Sequence, residues 1–139
     1  MEYHIEREPK PVLYILMRTD LQSLNPGKAM AQAAHAANAF VDSVIQRQSV
    51  PEYFYRWQES TSQGFGTVVV LGCDAKQLTC ITNIADTIGL SSGVVNDPTY
   101  PLQDGKVTHY IPLCTCGWVF GDSRDLSIRG LLGNLELHS

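Results

Sequence analysis

Two stretches of this chain leave almost nothing for water to touch. Residues 11–17 read Pro-Val-Leu-Tyr-Ile-Leu-Met, and residues 66–72 read Gly-Thr-Val-Val-Val-Leu-Gly. A strand with one solvated face alternates apolar and polar residues, whereas a strand covered on both faces is apolar at nearly every position. Both runs therefore read as strands with a layer on each side. Helical patterns fill the intervals between strands, so the order β-α-α-β-α-β-β-α predicts a three-layer α/β/α sandwich on a small mixed sheet.

The element boundaries follow from local chemistry. Asn25-Pro26 supplies a helix cap and a proline at the first helical position, and the helix is expected to run to about Gln48. Its apolar side is read as Met30, Ala33, Ala37, Phe40, Val41 and Val44. Pro51-Glu52 opens a short helix through Trp57, and Asp74-Ala75-Lys76-Gln77 has the form of a capping box for a helix ending near Ile88. Val94–Asn96 is a short strand closed by Asp97-Pro98, and Lys106–Leu113 is another. Asp122-Ser123 caps a final helix, Arg124 to Leu132. Residues 1–10 form an N-terminal arm and 11–139 a single domain, with no internal repeat.

Composition narrows the function. Ten Lys+Arg against fourteen Asp+Glu leave a net charge of −4, so the chain does not hold nucleic acid by bulk charge, and any such role needs a local basic cluster. Residues 1–10 alternate charge and lack the apolar core of an export signal. The apolar runs are far shorter than the roughly 20 residues that span a bilayer. The expectation is a cytoplasmic protein that enters no membrane. Cys73, Cys80, Cys114 and Cys116 contain no Cys-x-x-Cys pair. They read as reduced, buried thiols rather than metal ligands.

Two places carry candidate chemistry. Lys28 falls in the first turn of its helix, where the dipole disfavours a cation unless an anion or developing oxyanion shares the site. Lys28, Gln32 and His35 lie within about 60° of one another on that helix. They form one polar stripe, which Asp42 and Gln46 continue, so the stripe also reads as an ordinary solvated side. Asp97, at the end of a strand, is placed to position water or take its proton. It reads equally as a turn aspartate opening Asp-Pro-Thr. Thr108 on the next strand has a hydroxyl for substrate or backbone. His109 reads as a packed core histidine, and the aromatics from Tyr53 to Trp57 as packing rather than a platform for bases.

Leu16-Met17-Arg18-Thr19-Asp20-Leu21 followed by Gly27-Lys28-Ala29-Met30-Ala31-Gln32-Ala33-Ala34-His35-Ala36 resembles the signature of the type 2 peptidyl-tRNA hydrolase family. The likeness extends through Trp57, Asp97 and Gly105–Thr108 to a closing Gly133-Asn134-Leu135-Glu136-Leu137. It implies a mixed sheet of about four strands with helices on both faces. It also implies a hydrolase needing no metal or other cofactor, which cleaves the ester between a peptide and the 3′ ribose of tRNA. By this resemblance Lys28, Asp97 and Thr108 are the catalytic residues, and Asp20, Gln32 and His35 match positions around the site. Relatives of this fold often pair, so a homodimer is an allowed assembly.

The chain also departs from the family pattern. Where the family has Asp-Ala-Gly-x-Thr followed by a polar residue, this chain has Asp97-Pro98-Thr99-Tyr100-Pro101-Leu102. The glycine and threonine are lost, and Thr99 is the hydroxyl that would replace the latter in binding substrate. The substitution leaves a second reading open, a binding module of the same fold without the activity or with an altered substrate.

Overall fold

The computed structural model describes residues 8–46 and 50–139; most of the expected N-terminal arm and the expected helix end at Gln48 lie outside them. Strand β1 (Pro11–Arg18) leads into helix α1 (Pro26–Gln46) and a short α2 (Phe54–Glu59). Strand β2 (Val68–Cys73), α3 (Ala75–Thr87), β3 (Ser91–Asp104), β4 (Val107–Asp122) and α4 (Leu126–Leu132) follow. The sheet runs β2-β1-β4-β3, with β1 parallel to β2 and both β1 and β3 antiparallel to β4. The expected mixed sheet of four strands is present.

Both faces of β1 are covered, as its sequence requires. Leu13, Ile15 and Met17 pack toward α1 and α2 with Phe40, Phe54, Trp57, Trp118 and Phe120. Leu16 points the other way, into a cluster with Leu78, Ile81, Val119, Ile128 and Leu132 beneath α3 and α4. The sandwich thus has three layers. The aromatic cluster is packing: Phe40 stacks on Phe120 with centroids 4.9 Å apart, and Trp57 and Phe54 meet Phe40 edge-on at 5.6 and 5.8 Å. Trp57 Nε1 donates to the Thr67 carbonyl at 2.8 Å, so its polar edge is satisfied.

Several boundaries moved. The face of α1 that meets the sheet is Ala29, Gln32, Ala36, Phe40 and Val44, rotated from the expected apolar face by most of one residue's step of about 100°. Met30 is 68% exposed. Small Ala29 and Ala36 let the helix lie close to the strands, which draws Gln32 inside. The short strand expected at Val94–Asn96 is the middle of β3, and the strand expected at Lys106–Leu113 continues to Asp122. Together they form a long ribbon closed by the two-residue turn Gly105-Lys106, whose glycine takes φ 60°. His109 is no core histidine, because the ribbon projects it into solvent, where it faces Asp104 at 3.4 Å. The last helix starts at Leu126 because Asp125, not Asp122 or Ser123, accepts from the Ser127 N–H at 3.0 Å. The capping box of α3 is present with both bonds, Gln77 N–H to Asp74 at 2.7 Å and the return bond at 2.9 Å.

The chain end protects an edge. Gly72 N–H donates to the Glu136 carbonyl and His138 N–H to the Val70 carbonyl, each at 2.9 Å. This lays the closing segment along the free side of β2. None of the four cysteines is in a disulfide. Cys80 is exposed, whereas burial pushes the Cys73 thiol up to about 12 and the Cys116 thiol up to about 11. At pH 8 the native protein is expected to alkylate at Cys80 first, with Cys73 and Cys116 at least about 100-fold slower until denaturant is added. Peptide mapping after timed iodoacetamide treatment checks this; equal labelling of Cys73 would contradict it.

Candidate functional site

Helix α1 begins at the sheet edge where the loop after β1 turns back. Asn25 caps it, its side-chain oxygen accepting from the Lys28 N–H at 2.9 Å. Lys28 is thereby fixed in the first turn, half-buried, with Nζ 5.5 Å from the centroid of the Tyr100 ring. Tyr100 is 1% exposed, and its hydroxyl is 2.8 Å from Ser23 Oγ. Asp20, Ser23, Asn25, Lys28, Leu102 and Gln103 line an open cleft of about 620 Å³.

One turn along α1, Gln32 bridges the site to the sheet. Its Nε2–H donates to Asp97 Oδ2 at 3.0 Å, and its Oε1 accepts from the Thr115 hydroxyl at 2.7 Å. Residues four apart on a helix stand about 5–6 Å apart at Cβ, so Lys28 and Asp97 are held to neighbouring turns of the same element. The other Asp97 oxygen, Oδ1, accepts from the Thr99 N–H at 3.0 Å. Asp97 is thus a turn aspartate and, through its other oxygen, the partner of Gln32. It stands at an irregularity within β3 rather than at a strand end.

The remaining candidates are dispersed. Arg18 holds Asp20 through bonds of 2.9 and 3.2 Å and donates to the Cys114 carbonyl at 3.0 Å. That guanidinium keeps the Asp20 carboxyl below its ordinary value. Asp20 also accepts from the Ala75 N–H at 3.2 Å, so it ties the cleft to the start of α3. His35 is exposed on α1, outside the buried arc that contains Gln32, so the expected stripe divides into a sheet-facing and a solvent-facing part. Thr99 is exposed. Thr108 stands beside the turn that closes the ribbon, about 16 Å along β4 from Leu113, the partner of Asp97. It reaches the Lys28 cleft through Gln103, whose Oε1 accepts from its hydroxyl at 2.7 Å.

Two residues at the site were not among the sequence candidates. Tyr100 replaces part of the altered loop and contacts Lys28. Thr115 is fully buried and bonded to Gln32. Its only mark in the sequence is a lone hydroxyl in the otherwise apolar run Cys114–Phe120. No group of three or more His, Cys, Asp or Glu stands together as metal ligands among the described residues. Nor, among those residues, is any helix long and apolar enough to cross a membrane.

A lysine at a helix start and a carboxylate held by Gln32 one turn along offer a cation for an anionic group and an acceptor for a proton. Residues 11–111 match the family described as Peptidyl-tRNA hydrolase PTH2, and the chain belongs to that family. No curated protein matches it. The matched region contains Lys28, Gln32, Asp97 and Thr108 and stops before Thr115.

Proposed function

We propose that this protein hydrolyses the ester joining a peptide, or another N-substituted aminoacyl group, to the 3′ ribose of tRNA, and so releases free tRNA in the cytoplasm. The observation that carries the reading is the Lys28–Gln32–Asp97 constellation at the start of α1, in a chain of this family. Asp97 takes a proton from water as the water oxygen attacks the ester carbonyl. Lys28 stabilises the oxyanion that forms. When the carbon–oxygen bond to the ribose breaks, Asp97 returns its proton to the departing 3′ oxygen. The acid so released gives its remaining proton to solvent, so the products are a peptide carboxylate and tRNA with a free 3′ hydroxyl.

The substrate end is assigned to the cleft. Gln32 holds Asp97; Asp20, His35, Thr99 and Thr108 border the path by which the acceptor end would approach, with Thr108 acting beside Gln103. Lys28 supplies the local positive charge that a chain of net charge −4 otherwise lacks. The chemistry uses side chains alone, so the reaction needs no metal.

The test is incubation of purified protein with a mixed N-blocked aminoacyl-tRNA, following deacylated tRNA with and without a divalent-metal chelator. Release that resists chelator is the expected result. Binding without release would favour the non-enzymatic module to which the altered Asp97–Leu102 loop points. Neither binding nor release would indicate a different ester or amide.

A further inference from the structure

Asp97 and Tyr100 stand three residues apart on β3, so strict alternation would turn them to opposite faces of the sheet. Both nevertheless face α1. Asp97 meets Gln32, and Tyr100 meets Lys28, one turn nearer the helix start. The register shows how. Asp97 pairs with Leu113 and Tyr100 with Ile111, so β3 takes three steps where β4 takes two. The extra residue is a bulge, a device that re-aims side chains, and Pro98 and Thr99 lie in it. The segment that departs from the family pattern is thus the one that delivers an aromatic ring to the lysine.

Tyr100 is anchored at both ends of its side chain. It is 1% exposed, although β3 is an edge strand and the preceding Pro98 and Thr99 are exposed. Its hydroxyl shares a hydrogen bond of 2.8 Å with Ser23 Oγ, in the loop that lines the cleft. Lys28 Nζ lies over the ring so fixed, 5.5 Å from its centroid. A carboxylate in the same place would cancel the ammonium charge and take up its N–H groups. The ring attracts the cation through its quadrupole and leaves the charge whole. Lys28 has no ion pair with an acidic residue among the described residues. We propose that Tyr100 is the positioning residue for Lys28: its ring face fixes where the ammonium stands in the cleft, while the charge stays free for the anion that forms on the substrate. The proposal rests on the hydrolase reading above and gives the altered loop a role in the reaction.

Hydrolysis of N-blocked aminoacyl-tRNA is measured for the wild type, Tyr100→Phe, Tyr100→Leu and a protein carrying 3,4,5-trifluorophenylalanine at position 100. The last keeps nearly the shape of phenylalanine while its fluorines withdraw the negative charge from the ring face. The Lys28 methylene protons beside Nζ, which an aromatic face shifts upfield, are followed by NMR in the same proteins. Tyr100→Phe is expected to keep kcat within about threefold. The trifluorophenylalanine protein falls about 5- to 30-fold below Tyr100→Phe in kcat, the range for a cation–π contact that is partly to fully desolvated, with KM within about threefold. Tyr100→Leu loses at least as much. The Lys28 resonances stay upfield in Tyr100→Phe and return toward free-lysine positions in the other two. Equal kcat in the phenylalanine and trifluorophenylalanine proteins, a loss in Tyr100→Phe as large as in Tyr100→Leu, or a loss confined to KM would overturn the proposal. If the wild type releases no tRNA, the hydrolase reading fails, and the NMR arm alone decides whether the ring holds Lys28: resonances unmoved by Tyr100→Leu and by trifluorophenylalanine overturn it. Should Tyr100→Leu fail to fold, the trifluorophenylalanine protein, close in shape to Tyr100→Phe, decides by itself.

Discussion

Lys28→Ala is expected to abolish ester hydrolysis, with kcat down by at least about 10²–10³-fold, the range for removing one stabiliser of a developing oxyanion. The fold should be indifferent to the change. The tertiary contact described for Lys28 is the Tyr100 ring at 5.5 Å, a cation–π interaction worth about 0.5–1 kcal/mol where exposed. Against that loss, alanine is the better helix former, and a cation in the first turn opposes the helix dipole by about 0.3–1 kcal/mol. The two effects are of the same size and opposite sign. Thermal unfolding should therefore shift by no more than about 1 kcal/mol of stability while turnover collapses. Near-normal turnover in Lys28→Ala would remove the oxyanion role and leave the cleft without its charge.

That separation between activity and stability has a structural source. The residues that hold the sandwich together, Phe40, Trp57, Trp118 and Phe120 on one side and Leu78, Val119 and Ile128 on the other, are apart from the start of α1. Arg18 spends its charge on Asp20 and the Cys114 carbonyl, tying β1 to β4. Lys28 has no ion pair with an acidic residue among the described residues. A basic mouth in an acidic protein is thus one lysine set against an aromatic ring, with Asp20, which lines the same cleft, paired to its own arginine.

The layers of the fold were legible because burial on both faces leaves a direct mark in β1, and the Asp74 capping box marks the start of α3. Strand β2, equally apolar and expected to be covered on both faces, is an edge strand whose Val68 is 46% exposed and whose Val69 and Val70 are half-buried. The ribbon of β3 and β4 was not legible. Pro98 and Pro101 argue against a strand, yet β3 is the sheet's edge, where a missing N–H is tolerated, and Pro98 falls at a bulge. The second half of β4, Cys114–Asp122, mixes cysteine, glycine and aromatics without a period, because both of its faces are covered and one bulge interrupts its alternation.

The site was legible in part for a related reason. Lys28 and Gln32 belong to a motif that survives in this chain, Asp97 is what is kept of one that does not, and the structure links Gln32 to Asp97 directly. Gln32 looked like one of several polar residues on a solvated stripe. Its burial depends on the small side chains at Ala29 and Ala36 and on partners far away in sequence, which no helical wheel contains. Thr115 was hidden altogether, since an extra residue in a strand changes which face a side chain takes without changing composition.

Asp97→Asn is expected to lower kcat by about 10²–10⁴-fold, the range for a general base, with tRNA binding unchanged or tighter because a negative charge has left the mouth of a polyanion site. The substitution is close to isosteric, and its consequences for the fold can be followed atom by atom. The side-chain oxygen of the new residue still accepts from the Thr99 N–H, so the local turn survives. Its NH₂, however, would meet the Gln32 NH₂, donor against donor. The amide of Gln32 can reverse to offer its oxygen, and the Thr115 hydroxyl can then accept instead of donate. The network therefore rearranges rather than breaks, and the cost in stability should stay within about 1–3 kcal/mol. Single-turnover hydrolysis beside a filter-binding titration and a thermal melt distinguishes the effects. Loss of chemistry with retained binding and a modestly lowered Tm supports Asp97 as the group that handles water. Retained chemistry would leave it as a turn residue only, with the hydrogen bond from Gln32 serving to close β3 onto α1.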